Sequence, residues 1–385
     1  MKPLDGSPGD QSSERNVPQA APFIVVYSDA AAFERLHPEW EALRSPGADQ
    51  DPFLSCDWFA CWWRAFGGHR KLFLVTARRQ GQLVAVLPLM LERVWRHGIP
   101  LRRLAAIGND HSPRFDLVLG RDDEMLHRSI WNHLMARSAD WDVLDFPRLS
   151  ADSSTLDRFT RLARQQKVRH HLWTRAPRSP WIDIQPSWEH YLDARSPGFR
   201  KTLRRKTRRL AELGTVRLET VTDDAALEHG LAEAMQIEAE GLKGSNRTAM
   251  SSQPAVIRLY SELARIMAAR GQLRLHFLTL DHVRIAFDYS LISNRCLYSL
   301  KAGHRSTHAH FSPGTLMLSL ILQQAHEDGL TGMDLMGDAD EFKMHWTDAA
   351  RAHQWLHCYS DSLRGRLLHG IKCRLVPAVR AGSGK

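Results

Sequence analysis

The sequence lacks the long apolar runs that membrane proteins need. No stretch reaches the roughly 18 uninterrupted apolar residues of a spanning helix. Residues 1–22 are rich in Pro, Ser, Gly and Gln and contain no apolar signal-peptide core. Their composition is typical of a disordered tail. We therefore expect no stable membrane insertion, and we expect the protein to stay in the cytoplasm.

Metal-binding and nucleophile motifs are also missing. The five cysteines form neither a CxxC pair nor a zinc spacing, which predicts reduced thiols. The histidines of HRSTHAH, at positions 304, 308 and 310, match no familiar metal site, so we expect no metal. No G-x-S-x-G is present, which argues against a serine-nucleophile hydrolase.

Acidic residues are outnumbered. The 385 residues contain 52 Lys and Arg against 43 Asp and Glu, for a net charge of +9. A basic protein favours anionic partners: a phosphorylated cofactor, nucleic acid or an anionic membrane surface. The length predicts about two domains.

The positive charge is densest at Arg195–Arg209, where eight of fifteen residues are Lys or Arg and none is acidic. Such a helix suits tRNA, a lipid surface or an acidic glycan. A solvated basic face explains the pattern equally well.

The two halves of the sequence share one layout. Each has two strands joined by a polar turn, then a helix, then a short strand, which indicates an internal duplication. The predicted boundaries are a tail at 1–22, an N-terminal domain at 23–180, a C-terminal domain at 181–365 and a basic tail at 366–385.

The segment HFSPGTLML raises a specific question about the start of one helix. Ser312 suits an N-cap, and Pro313 suits the first helical position. Gly314 is a poor helix former, but it lets a ligand approach the backbone. The amides of Gly314, Thr315 and Leu316 then form an anion site, although an ordinary capped core helix is the alternative. The first half has Ser-Pro at 112–113 without the glycine, so we expect the anion site in the second half.

Four stretches in the second half carry a family resemblance. They are IEAEGLKGSNRTAM, GQLRLHFLTLDHVRIAF, LYSLKAGHRSTHAHFSPGTLML and GMDLMGDADEFKMHW. In order and spacing they resemble the CelD/BcsL-type acetyltransferase family of the GNAT superfamily, which is related to Fem-type double-GNAT proteins. The resemblance implies an α/β (α+β) fold of two tandem GNAT-like domains, each with a mixed, mostly antiparallel central sheet flanked by helices.

The resemblance also implies a reaction. An acyl-CoA, most often acetyl-CoA, would lie between splayed strands with its pyrophosphate on the amides after Ser312. The N-terminal domain is expected to bind no cofactor. The acceptor would be an amine or hydroxyl of a small molecule or sugar, in exopolysaccharide or cellulose synthesis.

The expected catalytic residues follow from these matches. Glu238 is the general base or holds the acceptor amine, with an exposed helix carboxylate as the alternative; Glu240 is a weaker choice. Tyr298 is the acid for the leaving thiolate, or a core aromatic. Lys301 stabilises the oxyanion or the donor phosphates, and Asp334 orients Lys301 or the acceptor.

The acceptor pocket is expected from the same stretches. Its residues are Lys243, Asp338, Glu341, Lys343 and Trp346. For Glu341, Lys343 and Trp346 the alternative is structural salt bridging, and for Lys243 it is a solvated lysine in a turn. Two rival functions remain open: a Fem-like transferase using aminoacyl-tRNA, and a non-catalytic GNAT-shaped partner in a polysaccharide-secretion complex.

Overall fold

The computed structural model describes residues 21–44, 51–174, 176–184, 186–221, 224–241 and 249–375. Within them, the helices are α1 Ala32–Leu43, α2 Cys56–Phe66, α3 Glu124–Ala136, α4 Ser154–Gln165, α5 Trp188–Asp193, α6 Pro197–Ala211, α7 Asp224–Glu240, α8 Pro254–Ala269, α9 Pro313–Glu327, α10 Glu341–Met344 and α11 Leu363–Gly370. The strands are β1 Phe23–Tyr27, β2 Lys71–Arg79, β3 Gln82–Arg96, β4 Ile99–Ala106, β5 Val118–Leu119, β6 Val143–Ser150, β7 Arg169–Trp173, β8 Ser179–Asp183, β9 Val216–Val221, β10 Leu273–Leu280, β11 Val283–Ser293, β12 Cys296–His304, β13 Gly332–Asp334, β14 Ala350–Arg351 and β15 His353–Tyr359.

The strands form two sheets with the same plan. The first runs β1-β2-β3-β4-β6-β15-β7, with β5 also paired to β3, and the second runs β9-β10-β11-β12-β13-β8-β14. In each, four antiparallel strands lead to one parallel pair, β4 with β6 and β12 with β13. The predicted fold, two mixed and mostly antiparallel sheets flanked by helices, is confirmed.

The two units exchange one strand each. β8 leaves the first unit and lies between β13 and β14 of the second sheet. β15 returns from the second unit and lies between β6 and β7 of the first. The sheets therefore divide the chain differently from the predicted boundaries: position 180/181 falls inside β8, and residues 353–359 belong to the first sheet.

One hydrophobic core is shared between the units. The aromatic side chains of α2, Trp58, Phe59 and Trp62, are fully buried. They belong to one cluster with Tyr260 of α8 and with Tyr289 of the second sheet. Burying such large side chains stabilises the fold by roughly 1.5–3 kcal/mol each. The helices α2 and α8 thus hold the two sheets together.

A buried ion-pair cluster joins the units a second time. The Arg114 guanidinium contacts the carboxylates of Asp51 and Asp334, and all three side chains are at most 11% exposed. Asp334 also accepts hydrogen bonds from the Ser179 hydroxyl and from the Met336 amide, the latter at 2.8 Å. Buried charges persist when they are paired in this way.

Several helices begin at a capping serine or at a proline. The Ser153 hydroxyl caps α4, and the Ser196 hydroxyl caps α6 at the Phe199 amide. Pro254 and Pro313 occupy the first positions of α8 and α9, where a missing N–H costs nothing. Among the described residues, no helix combines the length and apolar character required to cross a membrane.

Candidate active site

The second sheet opens where its parallel strands diverge. β12 pairs with β13 over Cys296–Tyr298 and then continues to His304 alongside β11. A bulge lies in β12, since Ser299 pairs with Ser290 and Lys301 with Tyr289, which leaves Leu300 as the extra residue. A cavity of about 650 Å³ fills the gap between residues 299–304 and 335–337. We call it the splay cavity.

The start of α9 lines the splay cavity, but its cap differs from the expected one. Ser312 stands at the N-cap position with φ +58°, in the left-handed region, and its side chain makes no capping bond. Its carbonyl accepts the Thr315 amide at 3.0 Å and the Leu316 amide at 3.4 Å. Two of the three predicted donors are thus engaged inside the helix, and the Leu316 side chain is buried in the core.

Gly314 remains the open donor at this corner. Its amide has no hydrogen-bond acceptor among the described residues. A Cβ built on Gly314 would meet no atom within 4 Å, so protein packing does not require glycine there. A missing side chain beside open space suits a ligand that lies against the backbone.

Two lysines bring positive charge to the splay cavity. The Lys206 ammonium of α6 lies 3.4 Å from the Thr315 hydroxyl. Burial lowers the pKa of Lys206, and the neighbouring Arg205 lowers it further. The Lys343 ammonium donates to the carbonyls of Met336, at 2.9 Å, and Asp338, at 3.2 Å. Lys206 was not predicted individually, although it belongs to the predicted basic segment.

Glu238 lies at the other end of the cavity. It is 1% exposed, and its Oε2 accepts the Met250 amide at 2.5 Å. The prediction of an exposed helix carboxylate as the alternative is therefore wrong. A Cβ on Gly303 would lie 3.3 Å from the Glu238 Cα, so this glycine permits α7 to pack closely on β12. Glu240, the weaker choice, contacts Arg305 near the surface.

Lys301 shares the cavity wall with Glu238. Its ammonium lies 5.4 Å from the centre of the Tyr260 ring, within cation–π range. Residues paired across antiparallel strands share a face, so Lys301 and Tyr289 project to the side of α7 and α8. The cavity thus reaches the same sheet face as the Glu238 carboxylate.

A polar group on the opposite face was not predicted. Asp288 is 3% exposed, lines the cavity and accepts hydrogen bonds from the hydroxyls of Ser290 and Ser299. The sequence feature that could have indicated Asp288 is the strand IAFDYSLIS, in which an Asp and a Ser stand two residues apart among apolar residues. Two such residues on one strand face lie side by side.

Several predicted residues lie elsewhere. Asp334 is committed to the buried cluster with Arg114, so it does not orient Lys301. Tyr298 lines a different cavity and packs edge-on against Phe53 at 5.6 Å, and burial raises its pKa. Trp346 is buried against Phe199.

The remaining predicted acceptor residues are peripheral. Asp338 and Glu341 are exposed, and neither side chain lines the splay cavity. Lys243 lies outside the described residues.

Comparison with known protein families gives a match over the part of the chain that contains the splay cavity. Residues 197–344 match the sequence profile of the acetyltransferase (GNAT) domain family. The matched range includes the residues that line the splay cavity. It contains Glu238, the bulge of β12 and the start of α9. No protein of curated function matches the sequence.

Solved structures show the same fold at low identity. FemX has a TM-score of 0.55 at 12% identity, covering 87% of this chain and 96% of that one. The C-terminal DUF2156 domain of an Agrobacterium fabrum protein named as a putative lysylphosphatidylglycerol synthetase has a TM-score of 0.53 at 15% identity. The similarity covers 88% of this chain and 96% of that one. L-PGS from Bacillus licheniformis has a TM-score of 0.50 at 12% identity, and the similarity covers 87% of this chain and 96% of that one.

Proposed function

We propose that this protein is an acyl-CoA-dependent acyltransferase that transfers an acyl group, most simply acetyl, to an amine or hydroxyl. The observation that carries the proposal is the splay cavity, whose wall contains both Gly314, with its open amide, and the buried Glu238. The cavity, at about 650 Å³, lies in the usual range for cofactor sites. The resemblance to the CelD/BcsL-type family favours a sugar acceptor.

The phosphate end rests on four features. The Gly314 amide and the helix dipole of α9 favour a negative group at this corner. Lys206 adds a cation beside Thr315, and Lys343 adds a second one, which is paired at 3.4 Å with Asp340 of the same wall. These residues would hold a pyrophosphate, and the left-handed Ser312 leaves no side chain competing for the amide.

The reacting end rests on Glu238 and the β12 bulge. Glu238 accepts the proton of the acceptor amine or hydroxyl as the nucleophile attacks the acyl carbon. The bulge leaves Leu300 out of the strand ladder, and its backbone faces the thioester carbonyl in this scheme. As the carbon–sulfur bond breaks, the thiolate takes up a proton. Lys301 supplies positive charge on the same face.

Glu238→Gln tests the catalytic assignment. We expect the acceptor-dependent release of free CoA thiol to fall by about 100- to 10,000-fold, the usual contribution of a general base. The affinity for acetyl-CoA should stay within a factor of two of the wild type. The matched control is Glu240→Gln, a neighbouring carboxylate in a surface ion pair, which should retain activity. Equal rates in the two variants would remove Glu238 from the mechanism.

A second function is favoured by the surface of α6. Lys201, Arg204 and Arg205 are exposed and make no ion pair among the described residues, and they flank Lys206. This face suits the phosphates of an aminoacyl-tRNA donor, as in a Fem-like transferase. Transfer that is destroyed by ribonuclease and weakened steeply by salt would select it over acyl-CoA. Absence of transfer from both donors would select a non-catalytic partner in a secretion complex.

A further inference from the structure

A second cavity, of about 960 Å³, lies where the chain crosses between the sheets. Its walls come from residues 114–122, from β6 and the start of α4, and from residues 351–353, which lead from β14 of the second sheet into β15 of the first. Tyr298 lines it, whereas the next residue, Ser299, lines the splay cavity. We call it the junction cavity.

Arg148 enters this cavity from a strained backbone. On β6, Leu149 pairs with Gln354 and Phe146 with Leu356, so two residues of β6 oppose one of β15. This is a bulge, and Arg148 in it has φ +56°. A non-glycine residue held in the left-handed region costs free energy, and such strain concentrates at binding and catalytic sites.

The Arg148 charge is poorly compensated. The guanidinium donates to the Ser112 carbonyl, which uses one of its five N–H donors. The neighbouring carboxylate, Asp110, is 3.8 Å away and fully exposed, whereas the Arg148 side chain is 25% exposed. Burial lowers the pKa of Arg148, against the opposing charges of Asp110 and Asp338.

A second arginine stands on the facing wall. The Arg351 guanidinium stacks 3.4 Å from the centre of the Trp181 ring, and it makes no ion pair in the described part of the chain. Stacking fixes the guanidinium plane and leaves its edge available for a planar anion.

Some acidic side chains of the cavity wall form ion pairs with arginines, and others accept hydrogen bonds from neutral groups. Asp51 is paired with Arg114 and Asp122 with Arg158. Asp152 accepts from the Ser150 hydroxyl, and Asp116 accepts from the Leu117 amide at 2.7 Å. A carboxylate can accept several hydrogen bonds, so Asp152 suits a further hydroxyl or amine donor.

We propose that the junction cavity binds the acyl acceptor, and that the acceptor carries a phosphate or carboxylate held by Arg148 and Arg351. The name acceptor rests on the proposed function, but anion binding does not. Asp152 then contacts an amine or hydroxyl group of the same molecule. Tyr298 and Ser299 are neighbours on β12, so the two cavities share this strand as a wall.

The test is calorimetric titration of three probes without CoA. Glucosamine 6-phosphate carries the phosphate, glucuronate carries the carboxylate, and glucosamine carries neither. We expect one or both anionic probes to bind at least about ten-fold more tightly than glucosamine, since charge-assisted pairs with arginine are strong. The stronger of the two anionic probes identifies the group.

Two variants locate the binding. Arg351→Met removes an exposed side chain, so the fold should be unaffected, and Arg148→Met removes the bulge arginine. Each should weaken the anionic probe about ten-fold, with Arg148→Lys between wild type and Arg148→Met. Arg96→Met, at an exposed arginine that lines neither cavity, is the control and should bind as the wild type does.

The proposal is overturned if the wild type binds neither anionic probe, if glucosamine binds equally well, or if Arg351→Met and a folded Arg148→Met both bind as the wild type. Titration of acetyl-CoA into the same samples keeps the two proposals apart. Loss of acetyl-CoA binding with the probes still bound would count against the acyl-CoA assignment and leave this one standing.

Discussion

The two halves of the chain build the same sheet but begin the following helix differently. In the first half, the Asp123 carboxylate caps α3 by accepting the amides of Met125, at 2.7 Å, and Leu126, at 3.3 Å. Arg79 then neutralises it at 2.6 Å. In the second half, Ser312 supplies no such group, and the Gly314 amide faces the splay cavity. The first helix therefore carries its own anion, whereas the second is open to a bound one.

The space beside the parallel strands also differs between the halves: it is filled by side chains in the first sheet and open in the second. Past its parallel pairing with β4, β6 continues with Phe146, whose ring stacks on Phe115 at 6.0 Å in the core. In the second sheet, the corresponding space beyond Tyr298 is the splay cavity. The topology alone would permit a cofactor site between the parallel strands of either half. The first turn of the helix and the filling of the gap decide in favour of the second half.

The strongest expected effect concerns the cluster that joins the halves. Asp334→Asn leaves Arg114 with one buried partner instead of two, and breaking a buried pair costs about 3–5 kcal/mol. We expect a loss of about 3 kcal/mol in the free energy of unfolding, measured with urea. Asp338→Asn, at an exposed carboxylate nearby, should cost less than about 0.5 kcal/mol. Unchanged stability with lost acyl transfer would instead make Asp334 catalytic.

A smaller effect is expected for the cation at the open helix start. Lys206→Met should weaken acetyl-CoA binding roughly ten-fold, because a hydrogen bond to a charged group contributes about 1.5 kcal/mol. Lys201→Met removes an exposed lysine from the same helix and should change the affinity less than two-fold. Equal effects of both substitutions would mean that α6 acts through its total charge.

The smallest effect is expected in the first half. Asp123→Ala removes the cap of α3 and should cost about 1 kcal/mol of stability, with no change in acetyl-CoA affinity. Burial opposes ionisation of Asp123, but Arg79 and the two amides lower its pKa overall. A carboxylate with a lowered pKa stabilises the fold at neutral pH and loses that effect as the pH falls. The stability difference between variant and wild type should therefore shrink in acid.

The fold was more predictable than the site because its signals are local. The repeated order of strands and helices follows from hydrophobic periodicity and from turn residues, which act over a few positions. The exchange of β8 and β15 depends on pairing between residues far apart in sequence. Nothing within SPWID or HQWLHCY states which sheet each strand joins.

The site was predictable where backbone chemistry decides it. Pro313 and Gly314 point to the helix start, and Gly314 lines the splay cavity. The role of Ser312 was not predictable, since its left-handed conformation comes from the turn Ser306–Phe311 that precedes it. Asp334 and Tyr298 stand beside cavity-lining residues in sequence, but strand alternation and partners from the first unit direct them elsewhere.

Titration of acetyl-CoA into the wild type, Gly314→Ala and Gly314→Glu tests the central claim most directly. The alanine Cβ meets no protein atom, so this variant should fold, and its single methyl group should weaken binding much less than the glutamate does. The glutamate places a negative charge at the corner assigned to the pyrophosphate and should weaken binding by about 100-fold or more, roughly 2.7 kcal/mol. Wild-type affinity in a folded Gly314→Glu variant, or no binding to the wild type, would contradict the account.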